Sequence, residues 1–500
     1  MEQYIISLDQ GTTSSRAVLF DAHLAIAGMA RKETKQQYPL AGWVEQDAQE
    51  IWDNQLSVAR AMYDRAILSG GQVQTIGISN QRESTVVWDR RTGKAVYPVI
   101  IWQDKRTTAF CAELSQGPEY GMIRRKTGLL PDPYFSASKI SWILDHVPGA
   151  KDAAVNGHLL FGTIDSWLIW KMSGGRLHIT DASNASRTLL FDIHAGSWDP
   201  ELLELFGIPA GMLPEVRRSS EIYGKTSPGI FPEEISISGI AGDQQAALFG
   251  QRCFQAGMAK NTYGTGCFML MHTGDRPVLS DSGLLTTVAW NITGQPEYAL
   301  EGSVFMGGAA VKWLRDGLGI IGHANETEAI CRSVNDNGGV FLVPAFAGLG
   351  APYWDADARG MICGLTQGST AAHIVRATLE SIAYQCRDVI SVMETDSGIG
   401  LRALKVDGGA SVNDFLMQFQ ADILGVRVMR PSVIESTALG AASLAGLACG
   451  MFSIDELHPD PEHEQEFSPL MQGHERERLY SAWKFAVQRA RFSGSSRGAS

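Results

Sequence analysis

Cysteine is scarce in this 500-residue chain: seven residues, an odd number, scattered from Cys111 to Cys449 with no CxxC pair. That usage argues against a disulfide framework or a zinc site, and it fits a reducing compartment. Runs of Lys and Arg are missing too. With a formal charge of −12 at pH 7, the chain has no electrostatic footprint for nucleic acid. A nucleotide ligand stays open, because a few backbone amides and one metal can hold phosphates locally. Long apolar runs are absent: the most apolar stretch, residues 438–452, is short and rich in Ala and Gly. It reads as a packed helix, with no membrane span expected. The opening MEQYIISLDQ lacks the basic, apolar and small-residue order of a signal peptide. The expectation is a cytoplasmic protein. There is also no GxxxxGK[ST] loop, so any phosphate binding has to use a different turn.

What is present suits a soluble globular protein, 44% hydrophobic and 19% charged. Five hundred residues exceed one ordinary core, so two domains are expected. Residues 4–8 and 16–20 are β-prone runs around the polar turn 9–15, and a third run lies near 25–30. A related pattern recurs at 258–271 around Tyr263-Gly264-Thr265-Gly266. This weak internal repeat opens each half with a hairpin and places the boundary near 246–258. Residues 474–490 fit a closing amphipathic helix, and 491–500 fit a disordered tail.

Four motifs carry chemistry. In Asp9-Gln10-Gly11-Thr12-Thr13-Ser14-Ser15-Arg16, Gly11 permits a tight turn, while Thr12, Thr13 and Ser14 supply phosphate donors. Asp9 at a strand end suits Mg²⁺, and Arg16 suits phosphate charge. An ordinary hairpin turn reads the same way. The second motif, residues 240–247, places Asp243 at a probable helix start, the position of a general base or of a plain N-cap. The third, Asn80-Gln81-Arg82-Glu83, offers donors and acceptors for vicinal hydroxyls, or a surface ion pair. The fourth, residues 406–413, is a strand feeding a Gly-Gly turn. It suits a flat adenine, or merely a turn that needs glycine.

Together and in this order, the motifs resemble the FGGY carbohydrate kinases of the actin/Hsp70/hexokinase-like ATPase superfamily. Residues 134–146, YFSASKISWILDH, match the N-terminal signature of that family. Residues 360–365 with 373–380 match the C-terminal one. Within the family, the resemblance is closest to the branch that phosphorylates glycerol, from about residue 4 to 450. It implies an α/β fold, with two RNase H-like (actin-like ATPase) domains flanking a deep cleft. The expected division is 1–252 for the phosphate turn, polyol site and catalytic Asp, 253–490 for the nucleotide site, and 491–500 for the tail.

The same resemblance implies roles. Arg82, Glu83, Tyr134, Asp243 and Gln244 would bind glycerol's hydroxyls, with Trp102 and Phe268 packing on its carbons. Asp243 would be the general base. Asp9 and Asp243 would hold Mg²⁺. Thr12, Thr13, Ser14 and Arg16 would meet the phosphates of ATP or ADP, with Thr265 and Gly308 facing them and Gly409 and Asn413 at the nucleoside. Lys312 stands where well-studied members carry Gln. Lysine donates but cannot accept, so that nucleotide contact changes character. A homo-oligomer, dimer or tetramer, is expected. The alternatives are a kinase of the same family acting on another polyol or ketose, and a non-catalytic actin-like ATPase.

Overall fold

The computed structural model describes residues 1–432, 435–457 and 464–492. The apolar runs at the start of the chain pair as expected. Strand Gln3–Gln10 turns at Gly11 and returns as Ser14–Asp21, antiparallel, with Asp9 opposite Arg16. Strand Ile26–Glu33 adds to its outer edge. On the other side lie Gln72–Asn80 and Ser236–Gly242, both parallel to the first strand, and then Ser220–Lys225. The parallel strands are buried almost throughout, because both faces of this sheet are covered. Alternate residues choose opposite faces, as the two-residue period demands. Tyr4, Ile6 and Leu8 join Ile51 and Val58 of helix Ala48–Leu68, whereas Ile5 joins Ala438, Ala442 and Ala445.

The second sheet repeats the plan. Hairpin Met258–Tyr263 and Cys267–Gly274 is antiparallel, and Pro296–Val304 extends it on the outer side. Strands Ala403–Asp407 and Val428–Pro431 run parallel on the inner side. Without extra edge strands, of which Ser220–Lys225 is the first sheet's, the third-second-first-fourth-fifth strand order is common to both sheets. Leu285–Asn291 and Glu464–Phe467 are extra edges of the second. The expected α/β fold with a duplicated core is thus present, and the duplication reaches beyond the two hairpins. Helix Gly473–Phe492 closes the chain. It overruns the expected tail at 491, because Ala490 packs into the second core and Arg491 meets Asp355 at 3.3 Å. The rest of that tail, 493–500, lies outside the described residues.

The Ala- and Gly-rich run forms helix Ser436–Ala448, which belongs to the later part of the chain yet lies on the first sheet. Its small residues let backbone meet backbone. A Cβ on Gly440 would stand 1.8 Å from the Ala246 carbonyl oxygen, and one on Gly77 would stand 2.2 Å from that of Ala441. No described helix is long and apolar enough to cross a membrane. Such contacts tolerate no added methyl. Gly440→Ala is therefore expected to lose about 1–3 kcal/mol in urea unfolding. Gly211→Ala, which meets nothing within 4 Å, should stay within about 0.5 kcal/mol. Equal stabilities of the two variants would contradict the close approach.

Candidate active site

The site is assembled by strand register. Gln10, Asn80 and Gly242 end three neighbouring parallel strands in line. The residues after these strands therefore collect at one carboxyl edge, where open α/β sheets bind ligands. After the first strand comes the turn closed by Gly11 N–H donating to the Ser14 carbonyl at 3.0 Å. After the second come Gln81, Arg82 and Glu83, and after the third, Asp243. Within the turn Thr12 is half-buried, Thr13 exposed and Ser14 buried. Asp9 is buried, accepts from Ser79 Oγ at 3.2 Å and pairs with Arg16. Arg16 also reaches Glu435 at 2.8 Å.

The second sheet presents an analogous edge. Gly264 N–H closes its turn on the Gly266 carbonyl at 2.8 Å, leaving Thr265 exposed. Gly308 and Ala309 donate to the carbonyls of Gly264 and Thr265 at 2.8 and 3.0 Å. These bonds hold the start of helix Gly308–Asp316 beside the turn. Gly408 comes after strand Ala403–Asp407 at φ 87°, and a Cβ there would strike the Tyr263 backbone. Gly409 is exposed, with open space where a side chain would be. Asn413 is locally engaged: its Oδ1 accepts from Leu416 N–H at 2.9 Å as a helix cap, and its Nδ2 donates to Thr327 at 3.1 Å. Lys312 lies on the exposed face of its helix.

Arg82 and Glu83 are not a surface pair. Arg82 is 2% exposed, and its strongest partner is one the sequence did not single out. Nη1 and Nη2 donate to the two oxygens of Glu301 at 2.5 and 3.0 Å. Nε lies 3.3 Å from Asp243 Oδ1, and Nη2 donates to the Tyr134 hydroxyl at 3.5 Å. Glu83 Oε1 accepts from Nε of a second unforeseen residue, Arg187, at 2.6 Å. Arg187 Nη2 in turn donates to Glu301 at 3.0 Å. Burial opposes the charges of Arg82 and Glu301. It is outweighed at Glu301, whose carboxyl the two arginines hold at about 2, and at Arg82, which Glu301 and Glu83 keep charged. Glu83 is a non-glycine residue at φ 62°, a strain of about 1–3 kcal/mol that surrounding structure has to enforce. Ser136 Oγ and Lys139 Nζ do so by donating to its carbonyl at 3.1 and 3.4 Å.

Aromatics wall this edge. Trp102 and Tyr134 stand edge-to-face, 5.6 Å between centroids, and Trp102 Nε1 donates to Thr12 Oγ1 at 2.9 Å. Phe268 is half-buried on the second sheet, in register with Thr262 and Ser303.

Asp243 is the first residue of helix Asp243–Gly250, and Gly242 takes the cap position. Its side chain keeps 29% exposure, so a ligand can reach it. Burial pushes its carboxyl up to about 6; Arg82 and Lys260 oppose the shift, and Glu83 and Asp9 add to it. Gln244 Oε1 accepts from Lys260 Nζ, which also donates to Thr262 at 3.1 Å. Lys260 is a fully buried residue of the second sheet, its ammonium brought down by burial to about 8. A lysine inside the β-prone run 258–261 was the one sequence signal that a polar partner lay opposite. Arg187 and Glu301 carried none, because their partner is remote in the chain. Among the described residues no three His, Cys, Asp or Glu gather as a metal site. A cavity of about 590 Å³ in the second half, bordered by Asn337, Arg376, Glu380 and Phe415, is lined by none of these site residues.

Comparison with known proteins decides the family. The N-terminal domain pattern of the FGGY family of carbohydrate kinases matches residues 4–250, and the C-terminal domain pattern matches 259–449.

This chain belongs to the FGGY carbohydrate kinase family.

It is 58% identical over 489 residues to glycerol kinase 2 of Thermotoga maritima, covering 98% of this chain and 99% of that protein. A Plasmodium falciparum glycerol kinase structure with ADP superposes at TM-score 0.93 and 36% identity, covering 98% of both chains. A ligand-bound xylulose kinase from Lactobacillus acidophilus shares the fold at TM-score 0.87 and 21% identity, over 99% of both chains.

Burial makes the Asp243 carboxyl a weaker acid than an exposed aspartate. In ligand-free protein its carboxyl ¹³C signal, assigned by its loss in Asp243→Asn, is expected to titrate near pH 6. A midpoint near the ordinary value of about 4 would show that Arg82 and Lys260 dominate instead.

Proposed function

We propose that the protein transfers the γ-phosphate of ATP to a terminal hydroxyl of glycerol, giving sn-glycerol 3-phosphate. The observation that carries this reading is the shared carboxyl edge. Asp243, half-buried and open to a ligand, lies beside Arg82 and Glu83 and in line with the hydroxyl-rich turn 11–14. The similarity to glycerol kinases over nearly the whole chain supports the same substrate pair. Residues 1–252 would carry the phosphate turn and polyol site, and 253–490 the nucleotide site. The helix Ser436–Ala448 is a return of the second part onto the first sheet.

Phosphoryl transfer depends chiefly on positioning and charge neutralisation. Arg82, Glu83, Tyr134 and Gln244 would bind the three hydroxyls, with Trp102 and Phe268 against the carbons. A site built to hydrogen-bond each hydroxyl rejects substrates lacking one. Asp243 would orient the attacking hydroxyl and accept its proton late in the reaction. Thr12, Thr13, Ser14 and Thr265 would donate to the phosphates, and the Gly308 helix start adds a favourable dipole. Arg16, paired with Asp9 and Glu435, would add positive charge beside the phosphates. Gly409 leaves room for the nucleoside, Asn413 borders it, and Lys312 would meet the nucleotide from the opposite helix. Asp9 and Asp243 are an oxygen-only pair, which fits Mg²⁺, an ion that takes one or two carboxylates and fills its shell with water and phosphate. When bound, Mg²⁺ would neutralise phosphate charge. The cytoplasm, and assembly as a dimer or tetramer, are the setting proposed with this function.

ADP release measured over a panel of polyols and ketoses tests the substrate. Glycerol is expected to give the highest kcat/KM, and an equal or higher value for a pentulose would overturn the assignment. Asp243→Asn is expected to keep nucleotide binding while losing at least about 10²-fold in kcat. A fully active variant would reduce Asp243 to a binding role.

A further inference from the structure

Arg82 and Glu83 are both held from behind. Glu301, on strand Pro296–Val304 of the second sheet, is buried and takes both terminal nitrogens of Arg82, at 2.5 and 3.0 Å. Arg187, fully buried, takes Glu83 Oε1 at 2.6 Å. The two holders bond each other at 3.0 Å. The four charges therefore form a closed chain: Arg82, Glu301, Arg187, Glu83. Arg82 and Glu83 lie on the first sheet's edge, Arg187 comes just after helix Ala182–Ala185, and Glu301 comes from the opposite sheet.

Such a network is an expensive way to stabilise a fold. Taking ions out of water costs several kcal/mol each, and well-packed apolar side chains often serve stability as well or better. Its geometric consequence is specific. With Nη1 and Nη2 clamped by Glu301, the guanidinium plane is fixed, and its remaining edge faces Asp243 and Tyr134.

We propose that Glu301 is a positioning residue for the polyol site, fixing Arg82 directly and Glu83 through Arg187. The inference rests on the glycerol-phosphorylating function proposed for this site. It adds that the polyol site is completed from the second sheet, so glycerol recognition depends on how the two halves of the chain meet.

Glu301→Gln keeps the shape and removes the charge. Its KM for glycerol is expected to rise at least about tenfold with KM for ATP within about twofold, the scale seen when outer-shell partners of built sites are removed. Propane-1,2-diol and propane-1,3-diol each lack one hydroxyl of glycerol. For the diol missing the hydroxyl that Arg82 meets, the penalty of the substitution is expected to shrink. A purely structural role would raise both KM values together, or penalise all three substrates alike, and either result would overturn the proposal. If Glu301→Gln fails to fold, Glu301→Asp keeps the charge but shortens its reach. It should show the same selective rise, and an unchanged KM for glycerol would overturn the proposal. A wild type inert towards glycerol would sink the functional reading and this inference with it. Wild-type activity with non-selective variants would sink the inference alone.

Discussion

A guanidinium buried as deeply as that of Arg82 has to be met by carboxylates, and much of the site's architecture derives from that need. No single neighbour suffices. Glu301 supplies the bidentate partner, Glu83 and Asp243 flank Nε, and Arg187 balances the surplus negative charge. Removing one member of such a buried set typically costs about 3–5 kcal/mol, because the remaining charge has nowhere to go. The network is therefore held as a unit, and the strained backbone at Glu83 is held with it. Tyr134 belongs to the same environment: burial and the nearby carboxylates push its phenol well above the ordinary range, which leaves a neutral donor facing the site.

The two sheets are joined by a second device of a different kind. Helix Ser436–Ala448 approaches the first sheet and helix Asp243–Gly250 so closely that Gly77, Gly239, Gly250 and Gly440 have no room for a methyl group. This backbone-to-backbone packing places Glu435, the residue just before the helix, against Arg16 of strand Ser14–Asp21. Close packing on one side and buried charge on the other thus tie both carboxyl edges into one frame. Within the first half, Trp102 ties the aromatic wall to the first turn, with its ring against Tyr134 and its N–H on Thr12.

Asp243 sits within that frame. A carboxylate placed deep between the edges would sooner keep its proton, and its raised value of about 6 reflects that burial. Arg82 and Lys260, one from each half, restrain the shift. The result is a group ionised at neutral pH but with more proton affinity than a surface aspartate. Lys260 is itself a weaker cation than usual because it too is buried. The cost of these desolvated groups is carried by the close-packed cores on either side.

Much of this was legible in the chain before it was folded. The hairpin turns, the buried parallel strands and the Ala- and Gly-rich helix arise from local preferences and from apolar periods of two and 3.6 residues. Gly408 marks a turn that needs a left-handed residue without a side chain, and Asp243 stands at a helix start as its flanking residues imply. Other features depend on pairing across distance. Arg82 and Glu83 read equally well as an exposed pair, because adjacency in sequence says nothing about burial. Asn413 reads as a ligand contact and is also a helix cap bonded to Thr327. Arg187, Lys260 and Glu301 acquire their meaning only from partners on other elements of the fold. The sequence by itself determined the two sheets, their turns and the chemistry they can present. The tertiary structure alone decided which charges meet, because the Coulomb energy of a buried group depends on distance in space and not on separation along the chain.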